Sequence, residues 1–493
     1  MSTPLEYETD FVVVGSGAGG ATTARVLAEA GHRVLILEEG PRIATDERPR
    51  ALLDAMILAV RDAGTQSTAA SAPIPVLQGR LVGGSTAINS GIIWRMPDDV
   101  RADWRARFGL GDLVDERALD RIFSQIERDL GTSATQPEIL GGNGHRMAEA
   151  ARAVGLTTGQ PMTRNAPTCH GSARCLQGCP HAARLSMDVT YIPMAERWGA
   201  RVEPLHRVRR VRTTGGVATG VEGVVLDAST RRPTRRFRVE ARRAVVLAAG
   251  VVHSPTFLLR LGLRGAVGRH FQSHPGAAVV GRFKEPLGMG FGATQAYEVP
   301  CRERGYKLES LSLPPELLAT RIPGAGVEWQ RRVGSLDHYA QWAAQVRMEA
   351  HGTVRLGWGG GAAVRYEPTE RDVSKLHEAL VLIAEMMFAA GAEEVYPGVT
   401  GVPDVLRTKA DVEAFRNARV RRRDLHLLAS HLFGTARASH DPSDSVVDPR
   451  LESRAVRNLY VMDGSVFPTN LGVNPQHSIM AVAWRAAEWL ANK

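Results

Sequence analysis

Residues 11–40 read FVVVGSGAGGATTARVLAEAGHRVLILEEG: an apolar run, a glycine turn, a helical stretch of small residues and a second apolar run ending in acid. That order predicts a strand–helix–strand unit and with it a parallel sheet, because parallel neighbours need a crossover between them. Gly15 permits the tight turn, Gly17 lets backbone N–H groups approach a pyrophosphate at the helix start, and Gly20 lets the helix pack on the strand. Glu38, eighteen residues past Gly20, stands where a carboxylate can accept from ribose hydroxyls. The unit predicts dinucleotide binding without choosing between NAD(P) and FAD.

At 493 residues the chain exceeds the length at which single cores stop growing, roughly 250–300 residues, so two domains are expected. The polar, acidic start MSTPLEYETD runs straight into the first strand, which gives the expectation of a cytoplasmic protein. The longest greasy stretch, ALLDAMILAV, is short and carries Asp54, so no membrane span is expected. Net charge is +9, yet only five of the 61 basic residues are lysines. The clusters HRVRRVR (206–212), RRPTRRFR (231–238) and RRR (421–423) lack interleaved aromatic residues, so they read as solvated faces and no nucleic-acid partner is expected.

Four further segments follow in order: GRLVGGSTAINSGIIWRMP (79–97), VVLAAGVVHSPTFLLRLG (245–262), SHLFGT (430–435), and NLYVMDGSVFP with GVNPQHSIMAVAWRAAE towards the end. Taken alone, VVLAAG reads as a buried parallel strand. Together the segments resemble the glucose-methanol-choline (GMC) family of FAD-dependent oxidoreductases, from residue 10 to the carboxyl end. The resemblance implies an α/β two-domain flavoprotein. Its Rossmann-like FAD-binding domain would comprise 1–100, 190–275 and 426–493, and a discontinuous substrate-binding domain of antiparallel sheet and helices would comprise 101–189 and 276–425.

It also implies FAD as cofactor. Gly79, Gly83 and Gly84 would let backbone approach the cofactor, Ser85 and Asn89 would add polar contacts, Asn89 beside the isoalloxazine, and Val208 would offer backbone to the adenine. Asp463 and Gly464 would hold the ribityl and phosphate region. Some relatives link FAD covalently through a His just before the Asn of the first segment; Ile88 stands there, so dissociable FAD is expected. The chain departs from the family pattern at Ile93 and Trp94, and at LGLR (261–264), which replaces a glycine-rich ending.

Oxidising an alcohol requires a base for the hydroxyl proton while hydride leaves the carbon for flavin N5. By resemblance the base is His431 of HLFGT and its partner is Asn474 of GVNP, the His/Asn pairing of cholesterol-oxidase-like members. His253, His274, His426, His440 and His477 are rivals without that motif. The expected reaction converts the CH–OH of a small-molecule alcohol to a carbonyl, with oxygen, a quinone or a redox protein taking the electrons. A hydroxynitrile-lyase-like enzyme without net redox chemistry and an NAD(P)-binding Rossmann enzyme are the alternatives.

In 372–391, Leu376, Leu380, Ile383 and Met387 recur at helical spacing and predict a core-facing helix. TCHGSARCLQGCP (168–180) places Cys169, Cys175 and Cys179 at C-x5-C-x3-C spacing. It resembles the segment that carries a three-iron cluster in cytochrome-coupled dehydrogenases of the family, but similar GCP segments occur in flavin-only relatives. Structural thiols are the favoured reading, ahead of a 3Fe-4S cluster and of a disulfide.

Overall fold

The computed structural model describes residues 3–493. In the first sheet β1 (Leu5–Val14) pairs in parallel with β2 (Val34–Leu37), Phe11 opposite Val34, and β2 pairs in parallel with β3 (Arg201–Glu203). On the far side of β1 lies a meander of β4 (His206–Thr214), β5 (Val217–Leu226) and β6 (Pro233–Leu247), of which β6 runs parallel to β1. Helix α1 (Ala18–Glu29) makes the crossover from β1 to β2, and its residues Gly19 to Ala28 are buried.

The two halves of β6 show how burial selects sequence. Pro233 to Arg236 are exposed at the meander end, where the arginine-rich run sits in solvent. Ala244 to Leu247 lie between β1 and the strand Leu459–Val461 and are fully buried, as a continuous apolar run requires. Because β1, β6 and Leu459–Val461 are parallel and in step, their carboxyl ends open at one edge. Ala248 N–H donates to the Val14 carbonyl at 2.9 Å, and Met462 N–H to the Leu247 carbonyl at 2.8 Å. The glycine turn, Gly250 and Asp463 are thereby delivered to the same crevice, the usual place for a ligand of such sheets.

The second sheet is antiparallel throughout. Its order is β11 (Ala392–Tyr396), β7 (Gly276–Phe283), β10 (Tyr339–Val346), β9 (Tyr306–Ser310) and β8 (Tyr297–Cys301), with the short strand Gln160–Pro161 at the edge. Helix α4 (Glu370–Ala389) covers one face, and Leu376, Leu380, Ile383 and Met387 pack with Trp342 in its core, as the periodicity predicts. Thr369 and Asp372 form a reciprocal capping box that starts this helix. On the uncovered face Gln341, Ala343 and Gln345 of β10 stand beside Lys307 and Glu309 of β9, with Gln345 opposite both Gly276 and Lys307.

The strands of the first sheet come from 1–100, 190–275 and 426–493, and those of the second from 101–189 and 276–425. The helices between them do not divide so simply. Helices α2 (Asp98–Phe108) and α3 (Glu116–Asp129), read from sequence into the substrate-binding part, bury Trp104, Phe123 and Ile126 in the first core beside α5 (Gln476–Ala491). Among the described residues no helix is long and apolar enough to cross a membrane. Leu380 is fully buried between α4 and the second sheet; Leu380→Ala is expected to lower stability by about 2–5 kcal/mol, read from denaturant unfolding followed by tryptophan fluorescence.

Candidate active site

The glycine turn is shaped by what touches it. Gly15 has φ +103°, and a Cβ there would lie 2.4 Å from the Ala248 carbonyl oxygen; a Cβ on Gly20 would lie 2.0 Å from the Gly15 oxygen. Any larger residue would push β6 or α1 away. Glu38 follows β2 and is buried. Its Oε2 accepts from Ser16 N–H at 3.1 Å and Ser16 Oγ at 2.7 Å, and its Oε1 from Gly40 N–H at 2.9 Å. Burial pushes its carboxyl above the usual range against these hydrogen bonds. Ser16 Oγ also accepts from Gly83 N–H at 3.0 Å, which binds the glycine turn to the 79–97 segment.

A cavity of about 1390 Å³ opens over this turn. Gly15, Gly17, Glu38 and Val208 line it, as do Gly84, Ser85 and Asn89, then Asp463 and Gly464, then His431 and Asn474. Gly20 and Gly83 stand behind the wall, Gly20 in the helix–strand contact and Gly83 in its bond to Ser16. Val208 reaches the Glu38 region because His206 N–H donates to the Glu38 carbonyl at 2.8 Å. The Asp463 carboxylate accepts from Gly250 N–H at 2.9 Å, from Ser465 N–H at 2.8 Å and from Ser254 Oγ. It joins the end of β6 to the last segment, and burial raises its pKa.

Two buried arginines hold the loop that presents Asn89. Arg184 donates to the carbonyls of Ala87 and Asn89, and at 2.9 Å to that of Cys175. Arg164 donates to the Ser90 carbonyl at 2.9 Å and reaches the sulfurs of Cys169 and Cys175, each at 3.5 Å. Burial alone would raise the Cys175 thiol pKa, but Arg164 and then Arg184 outweigh it and bring it below the ordinary value. Cys169, Cys175 and Cys179 carry no disulfide. The void they share with Arg164 and Arg184 is only about 20 Å³, and among the described residues no group of three His, Cys, Asp or Glu is arranged to hold a metal ion. With a guanidinium between two of the sulfurs, the residues do not fit an iron–sulfur cluster. The sulfurs of Cys169 and Cys175 accept from Arg164, one of the two arginines that shape the Asn89 loop.

Asn89 Nδ2 donates to Gln476 Oε1 at 2.6 Å, two residues from Asn474. Asn474 Nδ2 lies 3.3 Å from His431 Nε2, and Asn474 Oδ1 accepts from Lys307 Nζ at 2.6 Å. His431 is anchored through its backbone carbonyl, which accepts from His274 N–H at 3.2 Å and Ser273 Oγ at 2.9 Å. Desolvation first, and Lys307 second, push the His431 imidazole down to about 3. The rival histidines have other surroundings. His477 lies outside the cavity, fully buried edge-on to Phe123, and burial brings it down to about 4. His274 Nε2 accepts from Gly472 N–H at 2.9 Å, His253 lines the cavity beside Glu39 and Arg61, His426 is exposed at the cavity wall and His440 lies outside it.

Sequence models of the GMC oxidoreductase amino- and carboxyl-terminal regions match residues 9–276 and 349–483. The chain belongs to the GMC oxidoreductase family. It is 36% identical over 490 residues to an uncharacterized GMC-type oxidoreductase of Mycobacterium tuberculosis, covering 98% of this chain and 76% of that protein. It is 25% identical to a long-chain-alcohol oxidase of Arabidopsis thaliana, covering 97% of this chain and 68% of that one. Among solved structures, pyridoxine 4-oxidase from Mesorbium loti superposes with a TM-score of 0.73 at 19% identity, covering 98% and 99% of the two chains. A formate oxidase superposes at 0.74 and 17%, covering 99% of each.

GMC oxidoreductases bind FAD, and this chain is an FAD-dependent oxidoreductase of that family; the nicotinamide alternative is thereby set aside. The residues fit the cofactor: a cradle where a Cβ on Gly84 would lie 2.9 Å from Gly17 Cα, a buried carboxylate at Glu38, and a cavity long enough to join Glu38 to Asn474. Sequence reasoning does not reach Ser16, Gln476, Arg184 or Lys307. Ser16 and Gln476 stand inside the glycine turn and GVNPQHS, whereas Arg184 is distant in sequence from the Ala87 and Asn89 carbonyls and Lys307 from Asn474. Ser16→Ala removes a hydroxyl shared by a buried carboxylate and a buried N–H, a loss of about 1.5 kcal/mol; titration of apoprotein with FAD is expected to show about tenfold weaker binding.

Proposed function

We propose that the chain oxidises the CH–OH group of a small-molecule alcohol to a carbonyl, with His431 as general base and Asn474 as hydrogen-bonding partner. The observation that carries this reading is the contact between Asn474 Nδ2 and His431 Nε2 at the wall of the glycine-lined cavity. An amide NH2 that donates to Nε2 leaves the imidazole proton on Nδ1, so the nitrogen facing Asn474 holds a lone pair. A hydroxyl that inserts between the two side chains replaces their mutual hydrogen bond: its oxygen accepts from the amide and its proton faces the freed Nε2 lone pair. Bound FAD supplies the two-electron acceptor for the hydride that leaves the carbinol carbon. Burial and Lys307 hold the His431 imidazole below its ordinary range, so it is neutral at ordinary pH and able to take a proton.

The rest of the cavity supports an alcohol with an apolar body. Leu311, Leu313, Leu317, Ile322, Leu425 and Leu427 line it, and a relative is named as a long-chain-alcohol oxidase. Ile88, at the position of the linking histidine, supports non-covalent FAD. Oxygen, a quinone or a redox protein takes the electrons, and turnover of a panel of alcohols with and without oxygen and an artificial acceptor distinguishes them.

Acid precipitation is expected to leave flavin in the supernatant; flavin in the pellet would contradict a dissociable cofactor. His431→Ala is expected to bind FAD normally and to slow anaerobic flavin reduction by alcohol about 10²- to 10⁴-fold, with a smaller loss in Asn474→Ala. Near-normal reduction in His431→Ala alongside loss in His477→Ala would reassign the base to His477, which does not line the cavity, and unchanged flavin colour with alcohol cleavage would favour the lyase. The base works unprotonated, and its folded-state pKa lies below 6.5. The acid limb of the flavin-reduction rate is therefore expected below pH 6.5, with activity lost only as pH falls towards the lowered value.

A further inference from the structure

The buried ammonium of Lys307 stands behind Asn474, and nothing in the reaction as described uses it. Its Nζ lies 2.6 Å from Asn474 Oδ1, 3.0 Å from Glu298 Oε2 and 2.6 Å from Glu309 Oε1, with the Trp94 ring 5.6 Å away. Lys307 and the two glutamates are almost completely buried. The carboxylates are held in turn: Glu298 accepts from Trp94 Nε1 at 3.1 Å and from Gln160 Nε2 at 3.0 Å, and Glu309 accepts from Gln295. The residues come from neighbouring strands, Glu298 of β8 opposite Glu309 of β9 and Lys307 two residues along, so the sheet sets their spacing.

We propose that Lys307 is a positioning residue that fixes the side-chain amide of Asn474 with its NH2 towards His431. The proposal rests on the His431–Asn474 reading above. The two ends of an Asn amide are alike in shape, and either could face the imidazole. An ammonium has donors only, so the end beside Lys307 must be the carbonyl oxygen, and a flipped amide would set NH2 against NH3+. A flipped amide would also present an acceptor where the substrate oxygen needs a donor. Only five of the chain's 61 basic residues are lysines. One of them stands where three oxygens converge on a point charge, a geometry that a planar guanidinium fork does not match. The burial cost of that charge is offset by Glu298 and Glu309, which keep the ammonium protonated against desolvation. Trp94, where the chain departs from the family pattern, closes the chain of contacts. The loop carrying Asn89 holds Glu298, Glu298 holds Lys307, and Lys307 sets Asn474.

The test compares anaerobic flavin reduction by an oxidisable alcohol in Lys307→Met, Asn474→Ala, His431→Ala and the double variant Lys307→Met/Asn474→Ala. Lys307→Met is expected to retain FAD, to lose about 10- to 100-fold in the saturated rate, and to change KM far less. Acting through Asn474, it adds nothing once Asn474 is gone, so the double variant should match Asn474→Ala within about twofold. The charged and titratable groups around His431 are Lys307, Glu309 and Glu298 from the sheet and His274, edge-on at 5.7 Å. Removing the one cation among them should move the acid limb to higher pH.

A saturated rate in Lys307→Met within about twofold of the native value, or losses that multiply in the double variant, would overturn the proposal while leaving the base assignment intact. Normal reduction in both His431→Ala and Asn474→Ala would overturn the base assignment and this proposal with it. Should Lys307→Met fail to hold FAD, the neutral variant Lys307→Met/Glu298→Gln/Glu309→Gln leaves no buried charge unpaired and carries the same expectation for the rate. Loss of FAD there too would make Lys307 a folding element and overturn the proposal.

Discussion

The hydroxyl of Ser16 donates to Glu38 and accepts from Gly83 N–H, and the nucleotide site depends on that one group. It sits at the carboxyl end of β1, where Gly15 and Gly20 allow backbone-to-backbone contact that any side chain would prevent. A carboxylate buried at that point would be costly without donors, and Ser16 with Gly40 supplies three. The 79–97 segment is drawn in by the same hydroxyl, so the cradle for a pyrophosphate and the loop that carries Asn89 are set by one network.

Buried cations then carry positional information from the second sheet and the cysteine segment to the reacting end of the cavity. Arg184 and Arg164 end on backbone carbonyls of 87–90, where the guanidinium fork suits two acceptors at once. Lys307 ends on three oxygen atoms and meets Asn474. A buried cation has few satisfactory arrangements, so it discriminates between loop positions better than apolar packing does. Cys169 and Cys175 owe their place to this network: the cysteines that look like a ligand set in sequence serve as soft acceptors for Arg164.

Much of the fold was legible because its signals are local. The continuous apolar runs, the period-3.6 stripe, the glycine turn and the acid after β2 report on neighbours within some thirty residues, and the helix at 370–389 appears where its apolar stripe puts it. His431 and Asn474 stand in short motifs far apart in sequence, and their side chains lie 3.3 Å apart. The affiliation of 98–130 was not legible, because Trp104, Phe123 and Ile126 would suit either core and only the approach of α5 decides between them.

By itself the sequence determined a parallel nucleotide-binding sheet and an FAD-dependent oxidoreductase family, since each is written in residues close together or in fixed order. Only the tertiary structure decided which buried charges meet. Lys307 and Asn474 are 167 residues apart, and Arg184 lies 97 and 95 residues from the Ala87 and Asn89 carbonyls it holds. Electrostatic pairing in a low-dielectric interior depends on distance in space and is indifferent to distance along the chain, so no local pattern announces it.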